Sequence, residues 1–123
     1  MMSVLSSEYA LALGIRHGED GILTLPFETI LTGRLGYIHG GAIGGFLCVA
    51  SDVAMERNRR TPESQFRVLT TSLQFLRGAR ERDLHCATTI QLGGKVATVN
   101  AVAWQDDRER PVATSCRKYL LEG

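Results

Sequence analysis

The sequence predicts an α+β domain in which a curved antiparallel sheet of about five or six strands wraps around one long buried helix. Three observations predict it. No proline interrupts the apolar stretch from Gly41 to about Met55, where Ile43, Leu47, Ala50 and Ala54 recur at helical spacing and Phe46, Val49 and Val53 widen the stripe. Four strand-like runs follow, over 65–77, 84–92, 95–105 and 111–121, rich in Val, Thr, Leu and aromatics. A length of 123 residues suits one domain, here 1–123, and gives it enough interior for its own core.

In chain order, Ser6 and Ser7 are capping residues for a short run of helix formers that ends at Gly14, which predicts a small N-terminal helix resting on an edge or a partner. Gly21 to Phe27 reads as a strand, with Pro26 at an edge position or strand end, where a missing amide costs little. A loop then leads to His39. On the long helix the face left outside the apolar stripe carries Gly44, Gly45, Cys48, Ser51 and Asp52. Those small or polar residues admit a ligand or a neighbouring chain, or else close packing on a sheet. Arg57 to Pro62 ends the helix with positive charge and a proline stop. The turns at 78–83 and 106–110 are polar, and Gly93-Gly94 suits a tight hairpin. One apolar helix followed by an antiparallel meander buries itself most simply as a sheet around the helix, which is the hotdog fold.

Composition narrows the function classes. Hydrophobic content of 44%, charged content of 22% and a formal charge of +1 lack the basic excess of a general nucleic-acid binder. The first seven residues carry no basic export signal, and no run is apolar and long enough to span a membrane. Cys48, Cys86 and Cys116 form an odd set without a CxxC pair, which speaks against a disulfide framework and a zinc site and for a reducing cytoplasm, with no metal expected.

Chemistry concentrates at His39-Gly40-Gly41. The first amides of a helix have no intrahelical acceptor, and glycine lets a carbonyl approach the backbone, so this start can form an oxyanion hole; the alternative is a flexible turn into a core helix. Arg77, Arg80, Arg82 and Lys95 sit at strand ends or turns, where they can meet phosphates or simply solubilise the surface. His17 reads as a loop residue, His85 as an exposed or edge position, and Trp104 as packing.

With the HGG start, the buried helix, the run Thr70-Thr71-Ser72-Leu73-Gln74-Phe75-Leu76-Arg77 and the run Pro111-Val112-Ala113-Thr114 in view, the chain resembles the hotdog-fold acyl-CoA thioesterases of the phenylacetic-acid-degradation type over nearly its full length. The resemblance implies hydrolysis of an acyl-CoA thioester by homodimers or homotetramers, with active sites at a subunit interface and no cofactor beyond the coenzyme A of the substrate. It assigns the carbonyl-polarising role to His39, Gly40 and Gly41; with Gly40, the residues Arg77, Gly78, Arg80 and Lys95 are the candidates for binding the substrate, the three cations through the phosphates of coenzyme A. It also expects a carboxylate nine residues after the histidine, where Cys48 stands. Gly33 replaces a frequent Asn or Gln, and Gly78 a common proline. Three readings follow: Cys48 as nucleophile, Asp52 one turn further on as general base, or a non-hydrolytic acyl-CoA-binding or partner subunit. A hotdog dehydratase fits less well, for want of a hydratase-type His and Asp arrangement.

Overall fold

In the computed structural model, which describes residues 4–122, the first helix, α1 (Glu8–Leu13), starts where the Ser7 hydroxyl accepts from the Ala10 amide at 3.2 Å. It stops at Gly14, whose φ of 72° turns the chain out of the helix. The reading of Met1, Met2 and Ser3 lies outside the described residues. Two short strands follow, β1 (Arg16–His17) and β2 (Leu23–Leu25). The strand expected over 21–27 is shorter because Gly21 is held in a turn at φ 75° and Pro26 has no amide to donate. β2 lies between two other strands, so Pro26 marks a strand end rather than an edge.

The long helix, α2, spans Gly40–Arg57, and the meander is β3 (Gln65–Phe75), β4 (Leu84–Leu92), β5 (Val96–Trp104) and β6 (Ala113–Glu122). All six strands form one antiparallel sheet in the order β1-β2-β4-β5-β6-β3, curved around α2 in the hotdog arrangement. The β4–β5 hairpin closes with the Gly93 amide donating to the Val96 carbonyl at 2.9 Å.

Strand alternation decides which residues meet the helix. Leu84 and Cys86 of β4, Ala97, Val99, Ala101 and Ala103 of β5, and Ala113, Ser115 and Tyr119 of β6 are buried on the inner face. The small alanines of β5 let the helix lie close, and Ile43, Phe46, Leu47, Ala50 and Val53 fill the space above them. Each large aliphatic or aromatic side chain buried there contributes about 1.5–3 kcal/mol. Ser51 was expected on the open helix face; it is instead fully buried, its hydroxyl donating to the Leu47 carbonyl at 3.0 Å. That back-bond satisfies a polar group the apolar interior cannot.

β3 is different. It forms one edge of the sheet, and nearly its whole length is exposed, including Thr71, Leu73 and Phe75, which face the helix. A register shift between Val68 and Thr70 leaves Leu69 as an extra residue and bends the strand.

Candidate active site

The loop before α2 aims the helix start. Thr32 and Ile38 pair across it, the His39 amide donates to Leu31 O at 2.9 Å, and the Ile38 amide donates to Ala79 O at 2.9 Å. Gly33 makes the closure possible: a Cβ there would stand 2.3 Å from the His39 Cβ, closer than two carbons can approach.

His39 is the helix N-cap, its Nδ1 accepting from the Ala42 amide at 3.2 Å. The Gly40 and Gly41 amides have no acceptor among the described residues. A neutral ring that accepts at Nδ1 carries its proton on Nε2, so the start of α2 presents three donors: two backbone amides and one imidazole N–H. The helix dipole adds its positive end. Together they can stabilise an oxygen that gains negative charge.

The start opens into a cleft of about 560 Å³ lined by His39, Gly40, Ile43, Phe75, Arg77 and Gly78 among others. The Phe75 ring, 53% exposed, forms its wall 3.7 Å from where a Gly40 Cβ would lie. At the mouth, Tyr37 lies beneath two guanidinium groups, Arg34 at 4.3 Å and Arg80 at 4.8 Å from its ring centre. Gly78 admits that ring, because a Cβ there would meet Tyr37 Cε1 at 2.6 Å. Arg77 donates from Nε to Pro111 O at 2.9 Å.

The structure thus brings His39, Gly40, Arg77 and Gly78 into one cleft, with Gly41 beside them and Arg80 at its mouth. Lys95 does not join them. It follows the β4–β5 turn, and the Leu121 amide donates to its carbonyl, which puts it near the C-terminal end of β6 while the cleft lies at the opposite end. The seven residue steps of β5 from Val96 to Ala103 alone extend roughly 24 Å. Arg82 is paired with Asp106 at 2.6 Å.

Cys48 and Asp52 lie further along α2, about 10 Å and about 16 Å beyond Gly41 by helix rise. Cys48 is half-buried and forms no disulfide with the other described cysteines. Asp52 accepts from the Tyr119 hydroxyl at 2.7 Å and has Arg117 Nε at 3.7 Å. Burial raises the Asp52 pKa, and the Tyr119 hydrogen bond and Arg117 charge offset part of that rise. Burial, and after it the contact with Asp52, push the Tyr119 hydroxyl well above its ordinary value.

The helix face expected to stay open is partly filled. Gly44 admits Leu73, whose Cδ1 is 3.1 Å from where a Cβ would be, and Gly45 admits the hydroxyl end of Tyr9 from α1. The N-terminal helix therefore rests on α2. His17 lies in β1 against the Arg57 guanidinium rather than in a loop, and His85 is half-buried, its Nδ1 2.9 Å from the Thr24 hydroxyl. Trp104 is buried as packing, with Arg108 over its ring. Cys86 is buried and its thiol is pushed up to about 12, which makes it inert. Sequence reasoning gave no role to Tyr37, Ser115, Arg117 or Tyr119. The available signal was the alternation of Ser115, Arg117 and Tyr119, polar groups on one face of a strand whose other residues point away.

No helix among the described residues is long and apolar enough to cross a membrane. The family profile of the thioesterase superfamily matches residues 35–112. Comparison with curated proteins yields no match. Among solved structures, a protein from Chromobacterium violaceum is 32% identical, with 98% of this chain and 88% of that chain covered and a TM-score of 0.79. A phenylacetic acid degradation-related protein from Ralstonia eutropha JMP134 is 24% identical, with 90% and 87% covered and a TM-score of 0.76. A Bacillus halodurans protein solved with CoA is 16% identical, with 92% and 76% covered and a TM-score of 0.80. The last two likenesses are of fold.

Proposed function

The chain belongs to the thioesterase superfamily, and from that premise we propose that it binds an acyl-CoA with the thioester carbonyl at the start of α2 and hydrolyses it. The observation that carries this reading is the pair of unaccepted amides at Gly40 and Gly41 opening into the 560 Å³ cleft beside His39. When water attacks the carbonyl carbon, the oxygen becomes an oxyanion and accepts from the two amides and from His39 Nε2–H. Collapse breaks the carbon–sulfur bond, and the products are a carboxylate, the CoA thiol and a proton taken by a base. Arg77 and Arg80, with Arg34 beside them, hold the CoA phosphates at the cleft mouth, where Gly78 gives the Tyr37 ring its place beneath the guanidinium groups. CoA bound to a neighbour of the same fold supports that part of the ligand.

A base must come within about 3 Å of the attacking water, so neither Cys48 nor Asp52 reaches a carbonyl held on its own chain's helix start. A second copy supplies what one chain lacks. Antiparallel pairing of two β3 edges, exposed and carrying Val68, Leu69 and Leu73, sets two α2 helices side by side in opposite directions. The start of one then faces the Cys48–Asp52 stretch of the other. Asp52, with its pKa raised by burial, is the base in this homodimer, or in a homotetramer made of two of them.

One observation favours a second reading, a non-hydrolytic acyl-CoA-binding subunit: Tyr119 and Arg117 already hold the Asp52 carboxylate, and Cys48 stands where a carboxylate is expected. Thiol release from a panel of acyl-CoA substrates separates the two. Turnover lost in Asp52→Asn with binding kept supports hydrolysis, whereas wild-type binding without thiol release supports the second reading.

A further inference from the structure

Tyr37 carries two cations on one ring. The Arg34 guanidinium lies 4.3 Å and that of Arg80 4.8 Å from its centre, although like charges held so close repel. The negative face of the aromatic ring offsets that repulsion. Among the described residues neither guanidinium makes an ion pair or a side-chain hydrogen bond, and Arg77 at the same mouth has no carboxylate partner. The acidic groups of the neighbouring turns are engaged elsewhere: Glu81 accepts from the Thr32 hydroxyl at 2.9 Å, and Asp106 pairs with Arg82 at 2.6 Å. Three uncompensated cations at one opening, in a chain of net charge +1, favour an anion there.

The ring is fixed while the two arginines stay exposed. Tyr37 is half-buried, its edge filling the space that Gly78 leaves, where a Cβ would meet Cε1 at 2.6 Å and Cδ1 at 2.7 Å. Its backbone is tied at both ends, the Tyr37 amide donating to Arg34 O at 2.8 Å and the Gly33 amide to Tyr37 O at 3.0 Å. Across the cleft mouth Tyr37 bridges to Arg80, whose amide donates to Gln105 Oε1 at 2.9 Å and whose carbonyl accepts from Gln105 Nε2 at 2.8 Å. Both arginine backbones are therefore set relative to the ring, and stacking sets their guanidinium groups. Two forks of N–H donors from two different loops meet there with no acceptor of their own.

We propose that Tyr37 is a positioning residue whose ring gathers Arg34 and Arg80 into a clamp for the diphosphate of coenzyme A, so that the mouth selects CoA thioesters over those of phosphopantetheine. The proposal rests on the reading that an acyl-CoA lies in this cleft with its carbonyl at the start of α2. A phosphopantetheine thioester, the form in which a carrier protein presents the same arm, brings one phosphate where CoA brings a diphosphate. Each guanidinium fork matches one phosphate, so the second phosphate is the group that both arginines together can read. Free arginines would lose rotamer freedom on closing around it, and two cations would first have to be brought together. Tyr37 has already done both, which is preorganisation of the site.

Calorimetric titration of the full chain with two hydrolysis-resistant analogues tests this. Both carry the same acyl group, with a methylene in place of the thioester sulfur and the carbonyl kept; one is built on CoA and the other on 4′-phosphopantetheine. The CoA analogue binds about tenfold tighter to the wild type. That ratio is kept within about twofold in Tyr37→Phe, which retains the ring, and falls to about threefold or less in Tyr37→Leu. Should Tyr37→Leu not fold, Tyr37→Met fills the gap beside Gly78 with an unbranched chain and takes its place. Arg34→Gln combined with Arg80→Gln, at two exposed positions, brings the ratio to within about twofold of unity. Equal affinity of the wild type for the two analogues overturns the proposal and leaves the carbonyl at the start of α2 standing. Binding of neither overturns both. A ratio unchanged in the ringless variant, because both affinities fall alike or neither falls, shows a structural role only and overturns the proposal, as does a ratio that survives loss of the two arginines or collapses in Tyr37→Phe.

Discussion

The Tyr119 hydroxyl donates to Asp52 Oδ1 at 2.7 Å, joining β6 to the middle of α2 across 67 residues of sequence. The bond sits between the helix and the edge half of the sheet, next to Val99, Ala97 and the Phe66 ring, which meets Tyr119 edge-on at 5.4 Å. It ties down the only acidic side chain on the exposed strip of α2 among the described residues before Glu56.

Asp52→Ala leaves a buried phenol hydroxyl without an acceptor and is expected to cost about 1–3 kcal/mol. Asp52→Asn keeps an amide oxygen as acceptor and costs less. Urea unfolding monitored by circular dichroism measures both, and equal midpoints for the two variants contradict the hydrogen bond's role.

Stability also depends on pH at this residue. Because burial raises the Asp52 pKa above 3.8 in the folded chain, the folded state binds more protons than the unfolded state between the two values. The favourable contribution is therefore complete below the ordinary carboxylate range and is lost as pH rises through the folded value. In Asp52→Asn that falling slope disappears. Thermal melts from pH 3.5 to 7 compare the two chains, and an identical pH dependence contradicts the assignment.

Gly33→Ala puts a carbon where the His39 Cβ already is, with the His39 Cα 2.9 Å away, so backbone rather than a flexible side-chain end must yield. The expected loss is about 1–3 kcal/mol, together with weaker acyl-CoA binding as the helix start shifts. A variant with unchanged melting and unchanged affinity contradicts the account of this loop.

Cys48→Asp restores a carboxylate at the position where the resemblance expects one. A base in place is worth on the order of 10²- to 10⁴-fold in rate, so thiol release from acyl-CoA rises in this variant. An unchanged or lower rate in a folded Cys48→Asp chain counts against the placement of the active site.

Much of the architecture was legible because long elements repeat their pattern. The apolar period of α2 spans five turns, and β4 runs over the residues expected from its Thr, Ile and Leu content. β1 has only two residues and no period to read. The donors at His39, Gly40 and Gly41 were local and therefore visible, since a helix start is written in consecutive residues. What lay beyond reach depends on register: Lys95 reads as a neighbour of Arg77 only until the sheet order sends it to the opposite end, and Asp52 reads as a free base until Tyr119 and Arg117 fold against it. The reasons for Gly33 and Gly78 were equally hidden, because His39 and Tyr37 occupy their missing side-chain space only after the loops close.

The central claim is that the Gly40 and Gly41 amides hold an acyl carbonyl. Proton–nitrogen correlation spectra of glycine-labelled protein, titrated with a hydrolysis-resistant acyl-CoA analogue in which a methylene replaces the thioester sulfur and the carbonyl is kept, observe those two amides directly. The account predicts that both amide protons move downfield and saturate together. Saturable binding that leaves both resonances in place contradicts it.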